Sequence, residues 1–166
     1  AICPEGYYCP EGTTEGTNNP CGGIDKYCPT GSEVPITVNN GYYSIPLESD
    51  VTVRTNQELC TAGFYCSGGQ RIDCGGVQYF CPEGSSSRQL VVNGYYTTPL
   101  TSSIMNRESQ EICPAGYYCN NGEKKECGHV SKFCPQGSTQ PQNVSNGYYS
   151  TPENVSETTK YEQRIC

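Results

Sequence analysis

The chain has 166 residues, a net charge of −7 and a pI near 4.7. Thirteen cysteines, 19 glycines and 12 prolines stand against 34% hydrophobic residues, so one large aliphatic core is excluded and several small stapled units are expected. The acidic balance and the lack of any Lys/Arg cluster exclude nucleic acid as a partner. No apolar run approaches the roughly 20 residues of a membrane helix, so no membrane insertion is expected in this segment.

Cysteine at this density, with Gly and Pro throughout, is the composition of an extracellular disulfide scaffold. No secretory leader opens the sequence, so a secreted chain would be a processed product or a window of something longer.

Taken in chain order, the first element is a cysteine half containing Cys3, Cys9, Cys21 and Cys28. The second is a linker, "ITVNNGYYSIP", which places Asn-Gly between two β-prone arms. Asn and Gly tolerate positive φ, so the spacing predicts a hairpin with a type I′ turn at that pair. Pro46 cannot donate to a ladder and should end the strand. "VTVRTNQELC" then supplies a further short strand. No window shows sustained helical periodicity, and Gly or Pro interrupts every stretch, so helix is essentially excluded.

From Cys60 the pattern begins again. "NGYY" recurs at Asn40, Asn93 and Asn146, a period of 53 residues. Cys60, Cys66, Cys74 and Cys81 recur as Cys113, Cys119, Cys127 and Cys134, and each set reads C-x5-C-x7-C-x6-C-P-x-G-S. The first set differs only by four extra residues between Cys9 and Cys21. Such a period marks a tandem array. The expected domains are repeat 1 at 1–57, repeat 2 at 58–110, repeat 3 at 111–163, and the start of a fourth repeat at 164–166. Cys166 falls where Cys60 and Cys113 fell, so its partner is expected outside the chain.

Other positions keep the same clock. Gln57, Gln110 and Gln163 share one register, as do Arg54, Arg107 and Lys160. A shared contact of the cations with a Tyr ring or a carboxylate is one reading; the favoured one is a solvated charge on an edge strand. The rings of "CPEGYYC", "CTAGFYC" and "CPAGYYC" are the main apolar bulk, expected to pack on the disulfides as a small core in each unit.

Four cysteines allow three connectivities, and sequence alone does not choose. The working scheme pairs first with third and second with fourth: Cys3–Cys21, Cys9–Cys28, Cys60–Cys74, Cys66–Cys81, Cys113–Cys127 and Cys119–Cys134. Each bridge would close about 15 residues and contribute about 3 kcal/mol in the chain-entropy treatment.

"C-P-x-G-Y-Y-C", "Y-C-P-x-G-S" and "GYYSIPLESDVTVRTNQELCTAGFYCSGG" resemble the ephrin-receptor-like cysteine-rich repeats, relatives of the growth-factor-receptor and tumour-necrosis-factor-receptor modules. The version with a "GYYSTP" linker is similar to repeats in very large surface proteins of algae and flagellated protists. The resemblance covers the whole chain. It implies elongated, disulfide-stapled modules in series, on a cell surface or in secreted fibres such as mastigonemes, and it implies no catalytic residues.

The residues themselves carry little reaction chemistry. Zinc sites favour C-x2-C pairs with His, whereas the spacings here are longer and His129 is the only histidine. Asp25, Asp50 and Asp73 lie too far apart to form a calcium loop. His129 in "CGHVSKFC" reads as an exposed loop residue, since a catalytic role needs a placed nucleophile and orienter. No cofactor, metal or catalytic site is expected, and the chain reads as no enzyme. Asn143-Val-Ser and Asn154-Val-Ser are N-glycosylation sequons, and "STQP", "TTPLTSS" and "STPENVSETT" could carry O-linked sugars.

The expectation is therefore a small disulfide-rich chain, mostly β and loop: an elongated tandem array of repeats with short β-hairpins. Its expected role is a structural extracellular glycoprotein, the repeat segment of a fibre, filament or stalk. Its expected partners are glycans and further copies of the same repeat or chain in a fibre. The other reading is a ligand-binding or adhesive ectodomain of a cell-surface receptor.

Overall fold

The computed structural model describes residues 2–166. Among them, sixteen strands of two to four residues form eight antiparallel pairs, and the helical content is a single 3₁₀ turn, Val51–Val53. The disulfide-rich, β-and-loop expectation holds.

The chain resolves into two compact units. The first comprises Ala1–Cys74 and Cys81–Arg88; the second comprises Gly75–Phe80 and Gln89–Cys166. Within the first, Lys26–Tyr27 pairs with Ile36–Thr37, Tyr42–Ile45 with Asn56–Leu59, and Phe64–Ser67 with Gln70–Asp73. Within the second, Tyr79–Phe80 pairs with Gln89–Leu90, Tyr95–Thr98 with Ser109–Ile112, and Tyr117–Asn120 with Glu123–Glu126. Lys132–Phe133 with Gln142–Asn143 and Tyr148–Thr151 with Glu162–Ile165 complete it. The unit borders do not follow the 53-residue clock: the linkers of the first two repeats pack on the cysteine halves that come after them.

The expected hairpin at "NNGYY" is not the one that forms. The arm before Asn-Gly pairs backward, Ile36–Thr37 onto Lys26–Tyr27. The arm after it pairs forward across a ten-residue loop, Tyr42↔Leu59 through Ile45↔Asn56. The Asn-Gly pair is instead a tight corner in which the Tyr42 N–H donates to the Asn39 carbonyl at 3.1 Å. Only its glycine has positive φ, Gly41 at 79°, which makes the corner type II in character; type I′ needs positive φ at both central residues. The two-residue turns with positive φ at both positions lie elsewhere. They are Gly68–Gly69 (57° and 75°) and Asn121–Gly122 (50° and 81°), at the tips of the cysteine hairpins. Pro46, Pro99 and Pro152 each follow the last residue of a strand, as expected.

The disulfide scheme is also corrected. Bonding is first to second and third to fourth: Cys3–Cys9, Cys21–Cys28, Cys60–Cys66, Cys74–Cys81, Cys113–Cys119 and Cys127–Cys134. The pairs Cys3–Cys21, Cys9–Cys28, Cys60–Cys74, Cys66–Cys81, Cys113–Cys127 and Cys119–Cys134 do not form. The reason is local. A turn closed by the Phe64 N–H on the Thr61 carbonyl reverses the chain between Cys60 and Cys66, and one closed by Tyr79 on Gly76 does the same between Cys74 and Cys81. Their Cα atoms come to 5.7 and 5.8 Å, within bridging range. Each bridge closes a short loop and contributes about 2.4 kcal/mol rather than about 3 kcal/mol.

Rings do pack on sulfur, but the buried ones are linker tyrosines, and the expected Phe64 and Tyr117 are only partly buried beside them. Tyr43 is buried with Cys60 and Cys66, with Ile45 and Phe64 against them. In the second unit Tyr96 is buried with Cys113 and Cys119, with Tyr117 alongside.

Candidate functional site: a joint built twice

The most regular feature of the molecule is the joint by which a linker receives the next cysteine half. The backbone N–H of Ser44 donates to the Gly69 carbonyl at 3.0 Å, and that of Thr97 donates to the Gly122 carbonyl at 3.0 Å. Tyr43 with Gly69 and Tyr96 with Gly122 form parallel bridges. The side-chain hydroxyls complete the contact, Ser44 Oγ donating to the Ile24 carbonyl at 2.7 Å and Thr97 Oγ1 to the Val77 carbonyl at 2.6 Å. Both residues are fully buried. A Cβ on Gly69 would lie 2.0 Å from the Ile24 oxygen, and one on Gly122 would lie 2.0 Å from the Val77 oxygen. Only glycine allows two backbones to come so close.

A second contact braces the first. A Cβ on Gly41 would meet the Gly84 carbonyl oxygen at 2.4 Å, and one on Gly94 the Gly137 oxygen at 2.5 Å. The corner that carries these glycines is held by the repeating glutamine. Gln57, Gln110 and Gln163 each accept through Oε1, at 2.8 Å, from the N–H of Asn39, Val92 and Ser145 respectively.

Aromatic rings close the outer side. The Arg71 guanidinium lies 5.4 Å from the Tyr43 ring centroid and 4.8 Å from that of Phe64. Lys124 occupies the same place over Tyr96 at 4.8 Å and Tyr117 at 5.4 Å. The Tyr43 hydroxyl donates to Glu58 Oε2 at 2.7 Å and the Tyr96 hydroxyl to Glu111 Oε2 at 2.8 Å. The bond to Glu58, with burial, raises the Tyr43 pKa above the usual phenol value. Burial, followed by the bond to Glu111, does the same at Tyr96.

The repeating cations are therefore not the ones that stack on rings, and they are not solvated. Arg54, Arg107 and Lys160 are 3%, 6% and 7% exposed. Arg107 and Lys160 reach the loop of their own hairpins, while Arg54 keeps Nε and Nη1 buried with no hydrogen-bond partner. Arg107 Nη1 donates to the Pro99 carbonyl, while Lys160 Nζ donates to Pro152 at 2.8 Å and Val155 at 3.4 Å. The loop folds back because its backbone is tied to its own cysteine half: the N–H groups of Gly22, Gly75 and Gly128 donate to Thr52, Met105 and Thr158. A cation at the same phase of all three repeats was the visible signal. Its burial was hidden because the partners of Arg107 and Lys160 are loop carbonyls, which carry no sequence signature.

The remaining predicted positions lie apart from the joints. Asn143 and Asn154 are exposed, the first in the strand Gln142–Asn143 and the second in a loop. His129 is exposed, with Nδ1 3.3 Å from Ser131 Oγ. Cys166 is exposed and free. Among the described residues no group of three or more His, Cys, Asp or Glu side chains could hold a metal ion. None of their helices is long and apolar enough to cross a membrane.

The chain is similar to human progranulin, 23% identical over 110 residues, which is 58% of this chain and 18% of that protein. It thus spans less than a fifth of that relative's length. No family model matches. Small, cysteine-rich repeats stapled by disulfides are what the likeness and the structure have in common, and six bridges fit an oxidising, extracellular setting.

Proposed function

We propose that the chain is a structural, non-catalytic segment of an extracellular or cell-surface glycoprotein, the repeat section of a fibre, filament or stalk of the mastigoneme type. One observation carries this reading. The joint is made twice with the same atoms, from Ile24, Ser44 and Gly69 and then from Val77, Thr97 and Gly122. A contact that repeats with the sequence period can be added in series, with each repeat buttressing its neighbour. Electron microscopy of the native material tests it: fibres or stalks are expected, and isolated globular particles would overturn it. The glycoprotein part is tested separately. Treatment with an N-glycosidase should lower the mass of secreted protein by one or two glycans, with Asn143 and Asn154 converted to Asp.

The second reading, a ligand-binding or adhesive ectodomain, draws on one surface difference between repeats. Leu100, Ile104 and Met105 are 54%, 54% and 42% exposed. Their register mates in the third repeat are Glu153, Glu157 and Thr158. Variation on an exposed face suits recognition, and capture of a specific extracellular partner that is lost with Leu100→Glu/Ile104→Glu would favour it.

A further inference from the structure

The third repeat carries the receiving half of the joint with nothing seated on it. Ser150 Oγ donates to the Val130 carbonyl at 2.6 Å, as Ser44 does to Ile24 and Thr97 to Val77. Gln163 holds the corner, and the Cys166 N–H donates to the Gly147 carbonyl at 2.9 Å, as Cys60 and Cys113 donate to Gly41 and Gly94 at 2.8 Å. The receiving strand is thus already in its working geometry. The differences are all on the covered side. Tyr149 is 41% exposed, where Tyr43 and Tyr96 are 5% and 8% exposed. Gly147 has no atom within 4 Å of an added Cβ, where Gly41 and Gly94 meet carbonyl oxygens. Val130, Gly147, Tyr149 and Ser150 line an open groove of about 710 Å³.

We propose that this groove is a docking surface for the cysteine half of another repeat of this class, joined in line. The occupant is specified by what fills the two equivalent faces. It presents a C-x5-C-x2-G hairpin whose tip glycine brings its carbonyl to the Ser150 N–H. It also presents a Pro-x-Gly-Ser turn whose glycine carbonyl covers Gly147, and an Arg or Lys two residues beyond the tip glycine to lie over Tyr149. At Tyr149 the hydroxyl's usual acceptor is altered, because the position of Glu58 and Glu111 is held by Arg164. An acidic residue in the incoming repeat would suit that cation. The inference deepens the series-joint reading above and rests on it for its biological meaning.

The test uses the full chain and the full chain extended past Cys166 by a second copy of residues 61–166. Site-resolved nitration by tetranitromethane is read at Tyr149. The extended chain should show about a five- to eightfold lower rate there, the ratio of 41% to the 8% and 5% exposures of Tyr96 and Tyr43. Gly69→Val in the added copy should restore the fast rate. Because that substitution could unfold the added hairpin, Ser150→Leu in the original segment is measured as well and should restore it too. Disulfide mapping shows in each case that Cys166 has bonded to the cysteine six positions on, so that the added hairpin has folded. Unchanged nitration of Tyr149 with that bond in place would overturn the proposal. So would protection in the unextended chain that rises with concentration, which assigns the groove to a second copy instead. Fibres seen in native material with Tyr149 still open would overturn this joint while leaving the structural role intact.

Discussion

Tyr43 and Tyr96 are the residues on which the joints turn, and their chemistry has a pH signature. Both have raised pKa values, so folding favours the neutral phenol. The stabilisation is fully present below the ordinary value near 10.0 and is lost as pH rises through the folded value. In an alkaline spectrophotometric titration these two should ionise above the ordinary phenol range, and unfolding should accompany them. The buried cations give a second residue-scale test. Lys160→Met keeps the apolar stem but removes the donor to the Pro152 and Val155 carbonyls. It should cost about 1.5–3 kcal/mol, the value of hydrogen bonds to a charged group. Lys160→Arg, the residue used in the other repeats, should recover most of it. Denaturant midpoints compared at constant disulfide content would show both effects.

At the scale of the element, the joint depends more on absent atoms than on present ones. Gly122 sits at φ 81° with a carbonyl oxygen where a Cβ would be. Gly122→Ala therefore combines backbone strain with a backbone clash and should cost about 3 kcal/mol or more. Gly12, the corresponding residue of the first repeat, has φ 87° but open space around it, so Gly12→Ala should cost only the strain of φ. The difference between the two variants isolates the joint. These elements were only partly legible. The period, the strand-ending prolines and the packing of rings on sulfur follow from residue types and spacing, and the chain shows them. The turn at Asn40-Gly41 differs from the expected type because Asn-Gly suits both I′ and II turns. What decides between them is whether the flanking arms pair, and Ile36–Thr37 pairs with Lys26–Tyr27 instead. The bridges differ from the working scheme for a related reason: Cys spacing does not reveal the β-turn inside each intercysteine segment. The repeating Gln and Arg/Lys positions were visible as a register, but the partners of the three glutamines, Arg107 and Lys160 are main-chain groups and leave no mark in the sequence.

For the whole molecule, the balance between sulfur and hydrocarbon sets the behaviour. The buried apolar set consists of cysteines with Val38, two tyrosines and two phenylalanines. Six bridges at about 2.4 kcal/mol each then supply stabilisation as large as the whole net stability of a domain. Full reduction should unfold the chain at room temperature, seen as loss of near-ultraviolet dichroism and of resistance to proteolysis. Because every bridge joins neighbouring cysteines in sequence, reoxidation should recover the native pairing without shuffling between repeats. A mixture of long-range bridges after refolding would contradict that. The net charge of −7 keeps such chains apart in solution and weakens nonspecific association.

The joint's reliance on main-chain carbonyls and glycines has a consequence for how such a protein can change over time. Ile24, Val77 and Val130 occupy one position, as do Ser44, Thr97 and Ser150, and Arg71 is matched by Lys124. Each substitution leaves the hydrogen bond or ring contact at that position in place. A unit copied in frame by unequal recombination would therefore arrive with both of its mating surfaces intact, whichever neighbours it landed between. Gene length could then vary between lineages without any repeat having to co-adapt to its new position, and the glycines should be the last residues to diverge.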